Sequence, residues 1–505
     1  MGNNNATGNG NQGLLGKTAV YIITSILTQV LNLFLIPLYT NHFSPALFGE
    51  FTIVTSLQGI LSFFVSLGIF SGLSRFYYET EDPVRLKNIT VTFSLLWGSV
   101  MVAVCLIAAP QIASLVFKGA PDGPVLTRLV AVNAFLLCLI NTYTTYMTMG
   151  YYALKSGLIS MFNLLLTVIF TIYLVAVLRL GVLGALQAQV YAAAVVFSWL
   201  LLSDLRDFRF AWERTLFGRM LGYGVGLLPG QLGCWVLMLV DRYFLKAMVN
   251  LGAVGVYSMG YKIGVLIQPL LMAPFKNIFT PYKFEVYKQP DGQAKILRLF
   301  NYYNFIGWLL VLGLSVFAGP ALRILATTAY ESAYRVVPIV ACAYFILSLG
   351  EFYSMGLHIA NQTMIDSWVV IGGAVIDLGL NYLLIPRWGM YGAAFAVLIA
   401  YLAMMISYYF LSGPYYKLGI GFGLPCRYAV VFTLIYGIYF YLKPQIHHLG
   451  LEVLLGFGLC LLFILLSYRV GLLPKDALDL AGQALAKVKI RLGLATPQGE
   501  NREGQ

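Results

Sequence analysis

The 505-residue chain is 59% hydrophobic and only 10% charged, with a mean hydropathy of +0.80. An ordinary soluble domain carries about a quarter charged residues, so a water-soluble fold is excluded and an integral membrane protein is expected. The formal net charge of +12 invites a nucleic-acid partner, but the placement of the cations argues against one.

A spanning helix needs about 20 apolar residues. Fourteen such runs are centred near residues 29, 59, 100, 137, 167, 192, 231, 265, 308, 345, 375, 401, 434 and 459. Twelve is the alternative if the last pair is not a full hairpin. None shows the ten-residue alternation of barrel strands. The expected fold class is therefore an all-α polytopic membrane protein.

Residues 1–16 read as a flexible polar tail without a charged region, so the first helix itself should direct insertion. That helix follows Lys17 and ends in LNLFLIPLYTNHF; the second starts at Phe48-Gly49-Glu50-Phe51 and reaches Arg75-Phe76-Tyr77-Tyr78-Glu79. Helices three and four are bland apart from Asn133 and Asn141, and RLGVLGA joins helices five and six in a glycine-based turn. Helices seven and eight flank a loop near Asn250. They carry Asp241, Arg242 and Lys262 at or near membrane depth, with Pro229, Pro269 and Pro274 interrupting the backbone. A charge at a helix centre costs roughly 2.5–3.5 kcal/mol on the mildest scale, so these residues need partners, a wet cavity or a function. In an antiparallel hairpin Asp241 lies about one turn from Lys262, and the two are expected to neutralise each other, with Arg242 as the competing partner. After Arg469 the tail reads as an amphipathic helix with Leu478, Ala481, Leu485, Val488 and Leu492 on one face, as for a helix lying on the inner leaflet.

With the N-terminus inside, 22 of the 32 Lys and Arg fall in inside segments, 9 outside, and Lys262 within the membrane. This is the positive-inside bias; it reports topology, with both termini cytoplasmic, and not nucleic-acid binding. The six cysteines all fall in apolar runs without disulfide or metal-ligand spacing. No histidine, acid and cysteine set has the spacing of a metal or nucleophile site, so neither an enzyme nor a cofactor is expected.

The chain also matches itself. Phe48-Gly49-Glu50-Phe51 aligns with Val254-Gly255-Val256-Tyr257, Ser74–Glu79 with Thr280–Glu285, and Met149-Gly150 with Met355-Gly356, all at an offset of 206. RLGVLGA aligns with Arg387–Ala393 at 208. Such an offset spans six helices, which gives two parallel six-helix lobes with a site between them. The lobes are expected over residues 17–210 and 211–415, followed by a helix pair over 416–470 and the tail over 471–505.

The opening KTAVYIITSILTQVLNLFLIPLYTNHFSPALFGEFTIV resembles the first hairpin of oligosaccharide flippases, the polysaccharide-biosynthesis transporters related to multidrug and toxin extrusion proteins. YGVGLLPGQLGCWVLMLVDRYFL, VGVYSMGYKIG and TPYKFE are similar to the same family's seventh and eighth helices. The resemblance implies alternating access and export of a lipid-linked (isoprenoid diphosphate) oligosaccharide across the cytoplasmic membrane, with H+ or Na+ as a coupling ion. Such a cargo calls for cations and aromatic platforms in a cavity. Lys262, Arg242, Asp241 and Tyr261 are the head-group candidates, Asp377 and Glu351 the ion-coupling candidates, and Arg75 and Lys276 cations of the inner face. A cation-coupled multidrug antiporter is the alternative; it would call for several buried carboxylates, and the deep acids here are few. A flippase of the lipid II or sporulation type and a membrane glycosyltransferase are further readings, the last opposed by the short outside loops.

Overall fold

The computed structural model describes residues 34–117, 122–446 and 448–473, and among them there are helices but no strands. In chain order these are α1 (34–42), α2 (Pro45–Ser66), α3 (Ile69–Phe76), α4 (Pro83–Ile107), α5 (Ala109–Phe117), α6 (Gly123–Met149), α7 (Ala153–Thr171), α8 (Gly181–Asp204), α9 (Arg214–Leu239) and α10 (Asp241–Met248). There follow α11 (Leu251–Gly264), α12 (Ala273–Val286), α13 (Gly292–Leu325), α14 (Val337–Tyr353), α15 (Met355–Ile359), α16 (Thr363–Trp388), α17 (Met390–Ser412), α18 (Gly423–Leu442) and α19 (Leu449–Arg469).

Among the described residues twelve helices are long and apolar enough to span a bilayer. A thirteenth is formed if the 3-10 segment Thr328–Arg335 and α14, bent by 45°, count as one. Thirteen of the fourteen expected spans are thus found, including the last pair as α18 and α19. The first lies outside the described residues except for its final turns in α1, and so does the tail helix expected after Arg469. The fold of the described residues is all-helical and polytopic, as expected.

Local chemistry sets the boundaries. Ser44 caps α2, its side chain accepting from the Leu47 N–H with Pro45 at the first position; Asp82 caps α4 and Asn250 caps α11 in the same way. The sequence repeat has structural counterparts. Gly181 and Gly389, matched at 208, both take positive φ (60° and 54°) at the start of α8 and α17. A turn residue in that region is best supplied by glycine.

The repeat-matched Gly49 and Gly255 meet each other where α2 crosses α11. A Cβ on Gly49 would lie 2.0 Å from the Leu251 carbonyl oxygen, and one on Gly255 1.9 Å from that of Pro45. Membrane helices gain little from burying apolar surface against each other, so backbones this close contribute through dispersion and polar contacts. At its other end the same run is held by α9, where Gly68 faces Gly224. α2–α3 is therefore clamped to the second lobe at both ends.

Candidate functional site

The polar centre lies where α9 breaks into α10. Asp241 opens α10, and its Oδ1 accepts from the Arg242 backbone N–H at 2.8 Å and from Arg242 Nη1 at 2.7 Å. The Tyr257 hydroxyl donates to Asp241 Oδ2, and Arg242 Nη1 also donates to the Met238 carbonyl. The guanidinium carbon stands 4.2 Å from the centre of the Tyr261 ring. Tyr261 shares a hydrogen bond with the Tyr344 hydroxyl at 2.5 Å, and Tyr344 packs edge-on against Tyr401. Asp241 and Arg242 are 1% and 4% exposed, so each needs the other: an ion pair at this depth stands only if its remaining lone pairs and protons are satisfied. Here Tyr257 and the Met238 carbonyl supply part of them, and the buried Arg242 Nε has no partner.

The expected Asp241–Lys262 pair does not form. Each residue turns an α-helix by about 100°, so Tyr257 and Tyr261 share the face toward α10 while Lys262 points off it, toward α2. Its ammonium lies 5.0 Å from the centre of the Phe48 ring and 5.9 Å from that of Tyr39. No carboxylate stands within ion-pair distance of it among the described residues. Eleven residues after Leu251, Lys262 is about 16 Å along the 36-residue candidate span Leu251–Val286.

Asp377 in α16 is fully buried, and neither carboxylate oxygen has a hydrogen-bond partner. Asn381 one turn on gives its amide to the Asp377 backbone carbonyl instead, at 2.9 Å. Asp377 lies within electrostatic reach of Asp241, on a helix packed against α10. A cavity of about 470 Å³ opens nearby between α2, α9 and α16, lined by Gln231, Trp235, Met238 and Asp366 among others.

The other candidates gather toward the opposite end. Glu351 pairs with Lys276 at 2.5 Å, and beside them Lys283 donates to His358 Nδ1 at 2.7 Å. Burial, and then the Lys283 ammonium, holds the His358 imidazole below its ordinary value of 6.5. Arg75 pairs with Glu79, which also takes Arg219 at 3.3 Å, and both guanidiniums flank the Phe76 ring. Of the four residues that sequence reasoning grouped as head-group candidates, the structure brings Asp241, Arg242 and Tyr261 together and turns Lys262 away from Asp241. It missed Tyr257, although its spacing of four from Tyr261 was a usable signal. It also missed Tyr344, Tyr401, Glu79, Lys283 and His358 as partners. Among the described residues no group of three or more His, Cys, Asp or Glu side chains could hold a metal ion.

Residues 14–286 match the family model described as polysaccharide biosynthesis protein. The chain belongs to that family. An uncharacterized membrane protein of Methanocaldococcus jannaschii is 23% identical over 411 residues, 73% of this chain and 78% of its own. Among solved structures, the lipid II flippase MurJ in an inward closed conformation matches with a TM-score of 0.69 at 12% identity, over 89% of this chain and 99% of MurJ. An inward-facing multidrug resistance transporter of the MATE family matches with a TM-score of 0.59 at 16% identity, over 78% and 97%. A transporter of the MOP superfamily from Pyrococcus furiosus gives 0.57 at 16% identity, over 80% and 96%. At these identities the likeness is one of fold. This polysaccharide-biosynthesis family member is thus a multi-pass membrane protein with the fold that MurJ and the MATE-family transporters share, its paired polar centre at the junction of α9 and α10 and Lys262 turned toward α2.

Proposed function

We propose that the protein is a flippase that carries a lipid-linked, isoprenoid diphosphate oligosaccharide across the cytoplasmic membrane by alternating access, for cell-surface polysaccharide synthesis. The observation that carries this reading is Lys262. It is a membrane-depth cation with aromatic faces beside it and no counter-ion among the described residues, and Asp241, which could have neutralised it, is occupied by Arg242 and Tyr257. An anionic head group supplies the missing charge, while the rings of Tyr39 and Phe48 offer a platform to sugar. Both termini are taken as cytoplasmic, a topology that the 22-to-9 division of cations supports through the positive-inside bias. Arg75 and Lys276 then lie at the inner face. There they first meet the diphosphate, exchanging their pairs with Glu79 and Glu351 for it.

Asp377 supports coupling to an ion. A fully buried carboxylate without partners is costly to keep charged, and binding H+ or Na+ relieves that cost. The same residue favours the second reading, a cation-coupled multidrug antiporter. Reconstituted proteoliposomes separate the two: an isoprenoid diphosphate saccharide should cross with the wild-type protein and fail to cross with Lys262→Gln at equal protein content. Gradient-driven efflux of a lipophilic cation, with no movement of the saccharide, would establish the antiporter instead.

A further inference from the structure

Away from the centre, at the end of the bundle that carries the Asn250 turn, a polar cavity of about 500 Å³ lies between the 3-10 segment Thr328–Arg335 and the ends of α13 and α18. Its charged lining is Arg323, Arg335, Lys443 and Glu331, with the hydroxyls of Thr328 and Ser332 among the remaining groups. The floor is a buried ion-pair cluster. Glu452, fully buried in the first turn of α19, pairs with Arg323 Nη1 at 3.0 Å and Lys443 at 3.3 Å and accepts from the Tyr439 hydroxyl at 2.8 Å. The Lys443 ammonium, on a side chain 7% exposed, sits 3.0 Å from the centre of the Tyr334 ring.

The rim differs from the floor. Arg335 donates through Nε to the Tyr334 hydroxyl at 3.2 Å and has no carboxylate within ion-pair distance among the described residues. Arg323 uses one nitrogen on the floor, while its Nη2 reaches only the half-exposed Glu331, at 3.5 Å. Two guanidiniums therefore line one cavity, Arg335 without a counter-ion among the described residues and Arg323 with one nitrogen fixed on Glu452 and the other reaching only Glu331. Thr328 and Ser332 add hydroxyl donors to the same lining. Planar guanidiniums pair bidentately with carboxylate or phosphate oxygens, and a phosphate's several oxygens can be shared between two forks and a hydroxyl, where a carboxylate has only two.

We infer that this cavity is a binding site for a phosphate group, with Glu331 as the internal anion that the ligand displaces from Arg323. It is separate from the Lys262 centre and does not depend on what the transporter carries.

The test uses the full-length protein in nanodiscs of zwitterionic lipid. Binding is read from the shift in melting temperature as either dihexanoyl phosphatidate, a short-chain lipid phosphate, or inorganic phosphate is titrated in. Saturable binding of the lipid phosphate that inorganic phosphate does not displace identifies a lipid head group as the source. Equal binding of both identifies free phosphate, and either result supports the site. Arg335→Gln should weaken binding about tenfold, the scale of one lost charge-assisted hydrogen bond. Glu331→Gln should tighten it by removing the competitor. Arg387→Gln, which removes the same charge from an exposed position outside the cavity, should leave it unchanged. These three residues are exposed, and the opposite signs keep the test valid if one variant expresses poorly. No saturable binding of either probe, or equal weakening by Arg335→Gln and Arg387→Gln, would overturn the site.

Discussion

Gly255→Ala is the most exacting perturbation of this fold. The new Cβ would stand 1.9 Å from the Pro45 carbonyl oxygen, where real contacts essentially never fall under 3.0 Å, so α11 and α2 must separate by at least 1.1 Å. The obstacle is backbone rather than a side chain that could swing away. Overpacking of this kind costs about 1–3 kcal/mol. Under the proposed alternating access the crossing opens in the opposite state, so the cost falls on the closed arrangement alone. The expected shift toward the open state is about 5- to 150-fold. Ser258, one turn along from Gly255 and 2% exposed, gives a reporter with little change of shape. In a background without the native cysteines, Ser258→Cys should react with a polar maleimide at least about fivefold faster when Gly255→Ala is added. Gly49→Ala should act in the same direction. The double substitution should do less than the sum, because helices already apart leave room for the second methyl. Unchanged labelling and melting temperature in Gly255→Ala would refute the close crossing, and strictly additive effects would refute its reciprocity.

Lys262→Gln should abolish export while leaving protein level near normal, since no protein carboxylate is orphaned; quantitative blotting beside a transport assay separates the two. Asp377→Asn should preserve or raise the melting temperature, because an unpartnered buried acid is removed, and should flatten the dependence of transport on the ion gradient. Glu452→Gln removes the one carboxylate paired with Lys443 among the described residues, on a side chain 7% exposed, and should destabilise the protein by about 3–5 kcal/mol in a denaturation midpoint. Folded His358 resists protonation, whereas an unfolded histidine takes up a proton near 6.5. The melting temperature should therefore hold above that pH and fall below it, and His358→Gln should remove that part of the fall.

The helices were legible because a spanning run of about 20 apolar residues is a strong signal, and the Gly49 and Gly255 match pointed to a repeat whose members prove to touch. The side-chain partners were not equally legible. The hairpin placed Asp241 and Lys262 at similar depth, but depth does not fix helical phase, and one residue decides whether a side chain faces α10 or α2. Tyr257 and Tyr261 could be linked by their spacing. Tyr344 and Tyr401 sit in apolar runs far along the chain, where a tyrosine reads equally well as an interfacial anchor. Glu452 reads in sequence as a solvated acid at a helix start. Only the packing of α13, α18 and α19 shows it buried beneath Arg323 and Lys443.

The most direct measurement is mass spectrometry of the lipids that co-purify with the protein in mild detergent, wild type beside Lys262→Gln. The expected result is an isoprenoid diphosphate glycan enriched with the wild type and depleted from the variant. Bulk phospholipid alone in both preparations, or a glycolipid retained equally by the variant, would contradict the reading of Lys262 as the head-group cation.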